Sequence, residues 1–169
     1  VNTVKGEEYT SASILLAIGR RGTPRKLNVP GEGKEKVAYR LLEPEEITGK
    51  NIIVIGGGDS AVESALLLSD QNRVILSYRQ EVFNRIKPGN TNALNKAVAE
   101  GRLELKLGSN LVSIEDECIY LATGKETEAT KYANDLVYIF AGGELPTQFL
   151  EKAGVRITKK FGEIVMKHN

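Results

Sequence analysis

Ile52-Ile53-Val54-Ile55 is an unbroken β-branched run, without the apolar–polar alternation of a strand that has one wet face. A strand covered on both sides needs such a run, so Asn51 to Ile55 predicts an inner strand of a parallel sheet. From Asp59 to Leu68 the apolar residues recur at helical spacing, and Ser60 with Glu63 three positions later matches a capping box. Val74 to Tyr78 predicts a second buried strand, Asn92 to Glu100 a helix stopped by Gly101, and Leu103 to Leu107 an alternating strand. Leu111–Ile114 and Cys118–Leu121 flank Glu115-Asp116-Glu117 as a hairpin, and Leu136–Phe140, closed by Gly142-Gly143, is the last strong strand. Ahead of all these, residues 1–18 alternate as two short strands, the more apolar being Ser13–Ile18, and Gly19–Pro24 interrupts them. Pro24 to Lys36 reads as a linker, and Ala38–Leu42 followed by Pro44-Glu45-Glu46 predicts a short helical segment. The order is β-α-β-α-β, then antiparallel strands, then a final β, which makes an α/β sheet with an inserted meander.

Composition narrows the classes of function. A chain of 169 residues supports one domain with a real core and is marginal for two. A net charge of +1 offers no footprint for nucleic acid or for a membrane surface. No apolar run approaches the ~18 residues that span a bilayer, and Val1-Asn2-Thr3-Val4-Lys5 has no apolar signal region, so a cytoplasmic location is expected. With one cysteine (Cys118) and one histidine (His168), neither a disulfide framework, a dithiol pair nor a structural zinc site is expected. The chain starts without Met inside a strand-like pattern, as a piece of a longer protein would.

The strand ending at Ile55 runs into Gly56-Gly57-Gly58-Asp59-Ser60-Ala61 and a helix, so G-x-G-x-x-A stands in the strand–turn–helix setting that gives it meaning. Gly56 permits the tight turn, Gly58 lets a pyrophosphate approach the backbone, and Ala61 allows close helix–strand packing. Free N–H groups and the helix dipole then attract phosphate. These features predict a Rossmann-like three-layer parallel sheet with an inserted antiparallel β-meander. No G-x-x-x-x-G-K-[ST] occurs, and Gly49-Lys50 precedes the strand, which disfavours a kinase or ATPase. An NAD or FAD site places an acid about 20 residues on, at the end of the second strand. That position reads Leu76-Ser77-Tyr78-Arg79, with no acid before Glu81. Arg79 offers a planar fork suited to the 2′-phosphate of NADPH, and Arg85 and Lys87 add charge nearby.

Three segments together resemble the thioredoxin-reductase-like branch of the pyridine-nucleotide-disulfide oxidoreductase superfamily. Leu15-Leu16-Ala17-Ile18-Gly19 with Pro30-Gly31-Glu32 is similar to the strand and linker leaving the FAD domain. Gly56 to Glu63 resembles the NADPH loop and helix, and Asp135 to Thr147 the strand and turn returning to the FAD domain. The resemblance implies an FAD- and NADPH-dependent parent that passes hydride from nicotinamide to flavin. It implies NADPH contacts at Gly57, Gly58, Asp59, Ser60, Glu63, Arg79 and Arg85, with Gly142 and Gly143 near the nicotinamide end. Asp59 also suits a helix N-cap and Glu63 its capping-box partner. The implied organisation is an edge strip of the FAD domain plus linker over 1–30, an NAD(P)H-binding domain over 31–143, and a return strip over 144–169. FAD is expected in the full-length parent and not in this chain, and the expected partners are that FAD domain and a second copy in a homodimer.

One departure bears on chemistry. Ala38-Tyr39-Arg40-Leu41-Leu42-Glu43-Pro44 stands where thioredoxin reductases carry Cys-x-x-Cys, so this chain cannot run a dithiol relay. Cys118 is expected to be a packed strand residue, and no catalytic residue is assigned. A stand-alone dinucleotide-sensing module is the alternative function. A one-cofactor dehydrogenase fits poorly, because no Tyr-x-x-x-Lys pair occurs. The parent's reaction stays open between disulfide reduction through an outside thiol and electron transfer to a ferredoxin-like or low-molecular-weight disulfide partner.

Overall fold

The computed structural model describes residues 5–15, 23–124, 128–144 and 147–157. The chain divides into two compact units, Pro24–Gly142 and Val1–Thr23 with Gly143–Asn169. A two-residue strand, β1 (Thr23–Pro24), marks the first boundary.

The unit from Pro24 to Gly142 is built on β2 (Val37–Ala38), β3 (Asn51–Ile55), β4 (Arg73–Ser77), β5 (Leu103–Lys106) and β9 (Leu136–Ile139). These five strands are parallel and stand in the order β2-β9-β3-β4-β5. Helix α1 (Asp59–Leu68) joins β3 to β4 and α2 (Pro88–Ala99) joins β4 to β5. A three-stranded antiparallel sheet follows: β6 (Ser109–Ile114), β7 (Cys118–Thr123) and β8 (Thr130–Ala133).

The unbroken apolar run of β3 has its reason in this layering. Ile52 and Val54 pack with Ala61, Val62, Ala65 and Leu68 of α1 and with Leu94 and Ala97 of α2. Ile53 points the other way, into a cluster with Val137 and Ile139 of β9 and Leu111, Ile114, Ile119 and Leu121 of the meander. Successive side chains of one strand thus serve two cores. Ile52, Ile53 and Val54 are at most 1% exposed, and full burial of each such side chain is worth roughly 1.5–3 kcal/mol. Helices, parallel sheet and meander make the three-layer α/β arrangement that the sequence predicts.

At the level of single elements, the structure departs from the sequence pattern in places. The limits of α1 are as expected, but its N-cap is Gly58 with no side-chain cap, so the Ser60–Glu63 capping box does not form. Ser60 sits inside the first turn, and the Glu63 carboxylate accepts a hydrogen bond from Asn90 instead. Helix α2 starts four residues earlier than expected, with Pro88 in its first turn, where a missing N–H costs nothing. The segment expected to be helical at 38–42 instead supplies the end of β2, and only Pro44–Glu46 forms a 3-10 turn. β2 exists because Val37 pairs with Val137, a partner from the far end of the unit.

The Pro24–Lys36 stretch has no helix, yet it is fastened within its unit. The buried Glu32 carboxylate accepts from the N–H groups of Leu27 (2.8 Å) and Asn28 (2.6 Å) and from the Tyr39 hydroxyl (2.8 Å). Burial by itself raises the Glu32 pKa, but these donors and the Val29 N–H outweigh it and leave it lowered. The Pro30 carbonyl accepts from the Ile114 N–H at 2.9 Å, tying the stretch to the meander.

In the other unit, β10 (Gly143–Glu144) and α3 (Thr147–Lys152) are formed. Residues 5–15 hold an isolated bridge position at Glu8 rather than the expected strand. The expected strand residues 1–4 and 16–18, the break at 19–22, the Leu145-Pro146 turn and His168 lie outside the described residues. Among the described residues, no helix is long and apolar enough to cross a membrane, and no cluster of three or more His, Cys, Asp or Glu could hold a metal.

Candidate functional site at the glycine loop

The loop sits at the carboxyl ends of the parallel strands, where α/β sheets open their binding crevices. Gly56 has φ +152°, and a Cβ there would fall 2.7 Å from the Phe140 carbonyl oxygen and 2.9 Å from the Ala61 Cβ. Only glycine lets β3 turn this tightly against both β9 and α1. The Gly56 N–H reaches the Ser77 carbonyl at the end of β4 (3.0 Å). Past it, the N–H groups of Gly57, Gly58, Asp59 and Ser60 make no hydrogen bond to any described residue. Four adjacent donors at a helix N-terminus, backed by the helix dipole, form a cradle for an anion.

At the end of β4 the chemistry is that of a site without an acid. Ser77 is fully buried and hydrogen-bonded to the Ser109 hydroxyl at 2.7 Å. The Ser109 hydroxyl donates to the Lys106 carbonyl (2.7 Å), so Ser77 is the donor between the two. Tyr78 lies on Gly57: a Cβ at Gly57 would overlap its ring. The ring also stacks on Phe83 at 5.0 Å and 13°, and its hydroxyl donates to the Gln80 side chain at 2.8 Å. Tyr78 is not legible from sequence as a site residue, since nothing local marks an aromatic after a strand as a partner for a distant glycine.

The Asp59 carboxylate, instead of capping its own helix, reaches the next one. One oxygen accepts from the Lys87 N–H (2.8 Å) and from the Asn90 side-chain amide (2.7 Å). The Lys87 N–H first, then Asn90, lower the Asp59 pKa. The same Asn90 nitrogen donates to Glu63 at 2.9 Å, while the Lys87 ammonium stands 3.9 Å from Glu63 in an exposed, weak pair. Asn90 is the second residue that sequence reasoning misses, because the bridge it forms spans two helices.

Of the expected residues, Gly56 to Ala61 run consecutively through the loop into α1, and Glu63 lies one turn beyond Asp59 on the same helix. Arg79 adjoins Tyr78, which touches the loop, and Arg85 stands two residues from Lys87, which is bonded to Asp59. Both arginines are exposed and neither pairs with a described residue. Gly142 follows Phe140, whose carbonyl abuts Gly56; Gly143 belongs to the other unit. Cys118 is buried, with its thiol 3.3 Å from the Glu115 carboxylate. Burial first and that acid second raise its pKa, which removes thiolate character. A groove of about 510 Å³, lined by Asn51, Arg73, Arg102 and Tyr132 among others, lies at the opposite end of the strands and holds none of the expected residues.

Known proteins give the same frame. Residues 1–169 match the family described as pyridine nucleotide-disulphide oxidoreductase. The bacilliredoxin reductase of Bacillus subtilis (strain 168) is 32% identical over 158 residues, covering 92% of this chain and 48% of the relative. A ferredoxin–NADP reductase of Thermus thermophilus is 34% identical over 151 residues, covering 84% and 45%. Among solved structures, a bacillithiol disulfide reductase from Bacillus cereus superposes with a TM-score of 0.76 at 30% identity, over 82% of this chain and 43% of that one. Thioredoxin reductase of Lactococcus lactis gives 0.66 at 26% identity, over 77% and 45%. The chain thus spans about half the length of the curated relatives it matches. With a match along its whole length and a three-layer Rossmann-like fold, the chain belongs to the pyridine nucleotide-disulphide oxidoreductase family.

Proposed function

We propose that this chain holds NADPH for hydride delivery to flavin in an FAD-dependent, thioredoxin-reductase-like oxidoreductase. The reading rests above all on the open donors of Gly57 to Ser60 next to a strand end that offers Arg79 and no acid. The donors suit the pyrophosphate, and an unpaired guanidinium suits the 2′-phosphate that distinguishes NADPH from NADH. The relatives include proteins named for NADP and for bacilliredoxin. When bound, NADPH supplies the hydride; this chain's residues bind and orient it. Asp59 and Glu63, expected beside the nucleotide, are both engaged with Asn90. The unit Pro24–Gly142 carries the nucleotide, a domain assigned from sequence to 31–143, and the flavin belongs to the part of the protein that the relatives have beyond this match. A homodimer, and either disulfide reduction through an outside thiol or electron transfer to a ferredoxin-like or low-molecular-weight disulfide partner, belong to the same reading.

The test is a titration with NADPH against NADH, repeated with Arg79→Ala. Removing one charge-assisted phosphate contact is expected to weaken NADPH by about tenfold or more and to leave NADH nearly unchanged. An unaltered preference in the variant would reject the assignment.

A further inference from the structure

The segment 78–90 leaves β4, carries both arginines and enters α2, and it is fastened at each end. At its start the Tyr78 ring rests on Gly57 and stacks on Phe83. At its end Asn90 spends its side-chain amide on two carboxylates, Asp59 at 2.7 Å and Glu63 at 2.9 Å. An amide nitrogen has two hydrogens, so this donor capacity is fully used. The two acids lie one turn apart on the first turns of α1, close to a segment rich in cations: Arg79, Arg85 and Lys87. Only the lysine approaches them, at 3.9 Å from Glu63, and both guanidinium groups stay without a partner among the described residues.

The neutrality of the bridge is informative. Carboxylates are natural ion-pair partners for arginines carried on a segment tied to their own helix, and an arginine so paired is lost to a phosphate. Asn90 satisfies both acids with a donor that carries no charge. It also pins the first turn of α2, and with it the end of the arginine-bearing segment, to α1.

We propose that Asn90 is a specificity-determining positioning residue: by bridging Asp59 and Glu63 it keeps Arg79 and Arg85 free for the 2′-phosphate, without touching the nucleotide. This inference rests on the NADPH reading above. Without the bridge, Glu63 and Asp59 each lose an uncharged donor and become open to a cation of the 78–90 segment, for which the ligand must then compete.

The experiment is a binding titration of NADPH and NADH on the intact chain, comparing wild type, Asn90→Ala, Asn90→Ala with Glu63→Gln, and Arg79→Ala. Asn90→Ala is expected to weaken NADPH by about tenfold and NADH by less than about twofold. Adding Glu63→Gln removes one of the competing acids and is expected to restore a substantial part of the NADPH affinity. Asn90→Asp keeps the shape and adds a third acid, so it is expected to lose NADPH selectively, and it serves as the test should the alanine variant fail to fold. Equal losses of NADH and NADPH, no loss of either, or no recovery with Glu63→Gln would overturn the proposal. A wild type without NADPH preference, or an Arg79→Ala variant that retains it, overturns the underlying reading instead. That failure shows in proteins whose Asn90 is intact, so the two are told apart.

Discussion

At the scale of single residues, the glycine loop owes its shape to neighbours distant in sequence. Gly56 is required by Phe140 and Ala61 together, and Gly57 by the ring of Tyr78. The first requirement can be read from the motif; the second cannot, because G-x-G-x-x-A leaves its second position open. Gly57→Ala forces the Tyr78 ring aside and is expected to cost about 1–3 kcal/mol, as overpacking does. Tyr78→Ala frees that space, so the double variant is expected to be less destabilised than the sum of the singles by at least ~0.5 kcal/mol. Urea unfolding of the four proteins measures this, and strict additivity would show that ring and glycine do not meet. Gly31 poses a related constraint at the turn toward the meander: its φ is +82° and a Cβ would overlap the Ile114 carbonyl.

Between elements, the main tie is the Asp59 carboxylate of α1 supporting the first turn of α2. Its pKa is lowered in the folded protein, by the Lys87 N–H first and Asn90 second. In the window between the lowered and the ordinary value the unfolded chain binds more protons, so stability there rises with pH. The contribution is thus full above the ordinary aspartate range and is lost as pH falls through the lowered value. The difference in urea midpoint between wild type and Asp59→Ala is expected to hold steady from neutral pH down to that range and to narrow as pH falls through the lowered value. A difference that stays constant at acid pH would mean that the ionised carboxylate does not make the tie. The same contact explains what the sequence hid. Pro88-Gly89-Asn90-Thr91-Asn92 has the composition of a loop, and it is helical with support borrowed from another helix. Elements whose support is local were legible: α1 from its spacing, and the β6–β7 hairpin from the acids of its turn. β2 was not, because Val37 becomes a strand only through Val137. The open donors of the loop follow from its motif, whereas the Asn90 bridge has no local signature.

For the whole molecule, Ile14 and Leu15 of the smaller unit are 59% and 91% exposed. Large apolar side chains left this open invite association. The chain is expected to self-associate with rising concentration in sedimentation equilibrium, and Leu15→Lys to shift it toward monomer; a wild type that stays monomeric at high concentration would refute this. A different consequence follows from the place of β9, which fills the gap between β2 and β3 and supplies Val137, Tyr138 and Ile139 to both cores. Ile52 meets its partner Leu136 only after about 80 more residues have been made, roughly 4–16 s at ribosomal rates of ~5–20 residues per second. Until β9 is made, the edge of β3 that it covers has no partner strand, and both cores lack the residues it supplies. The order of synthesis therefore makes this sheet close late, on the arrival of one four-residue strand.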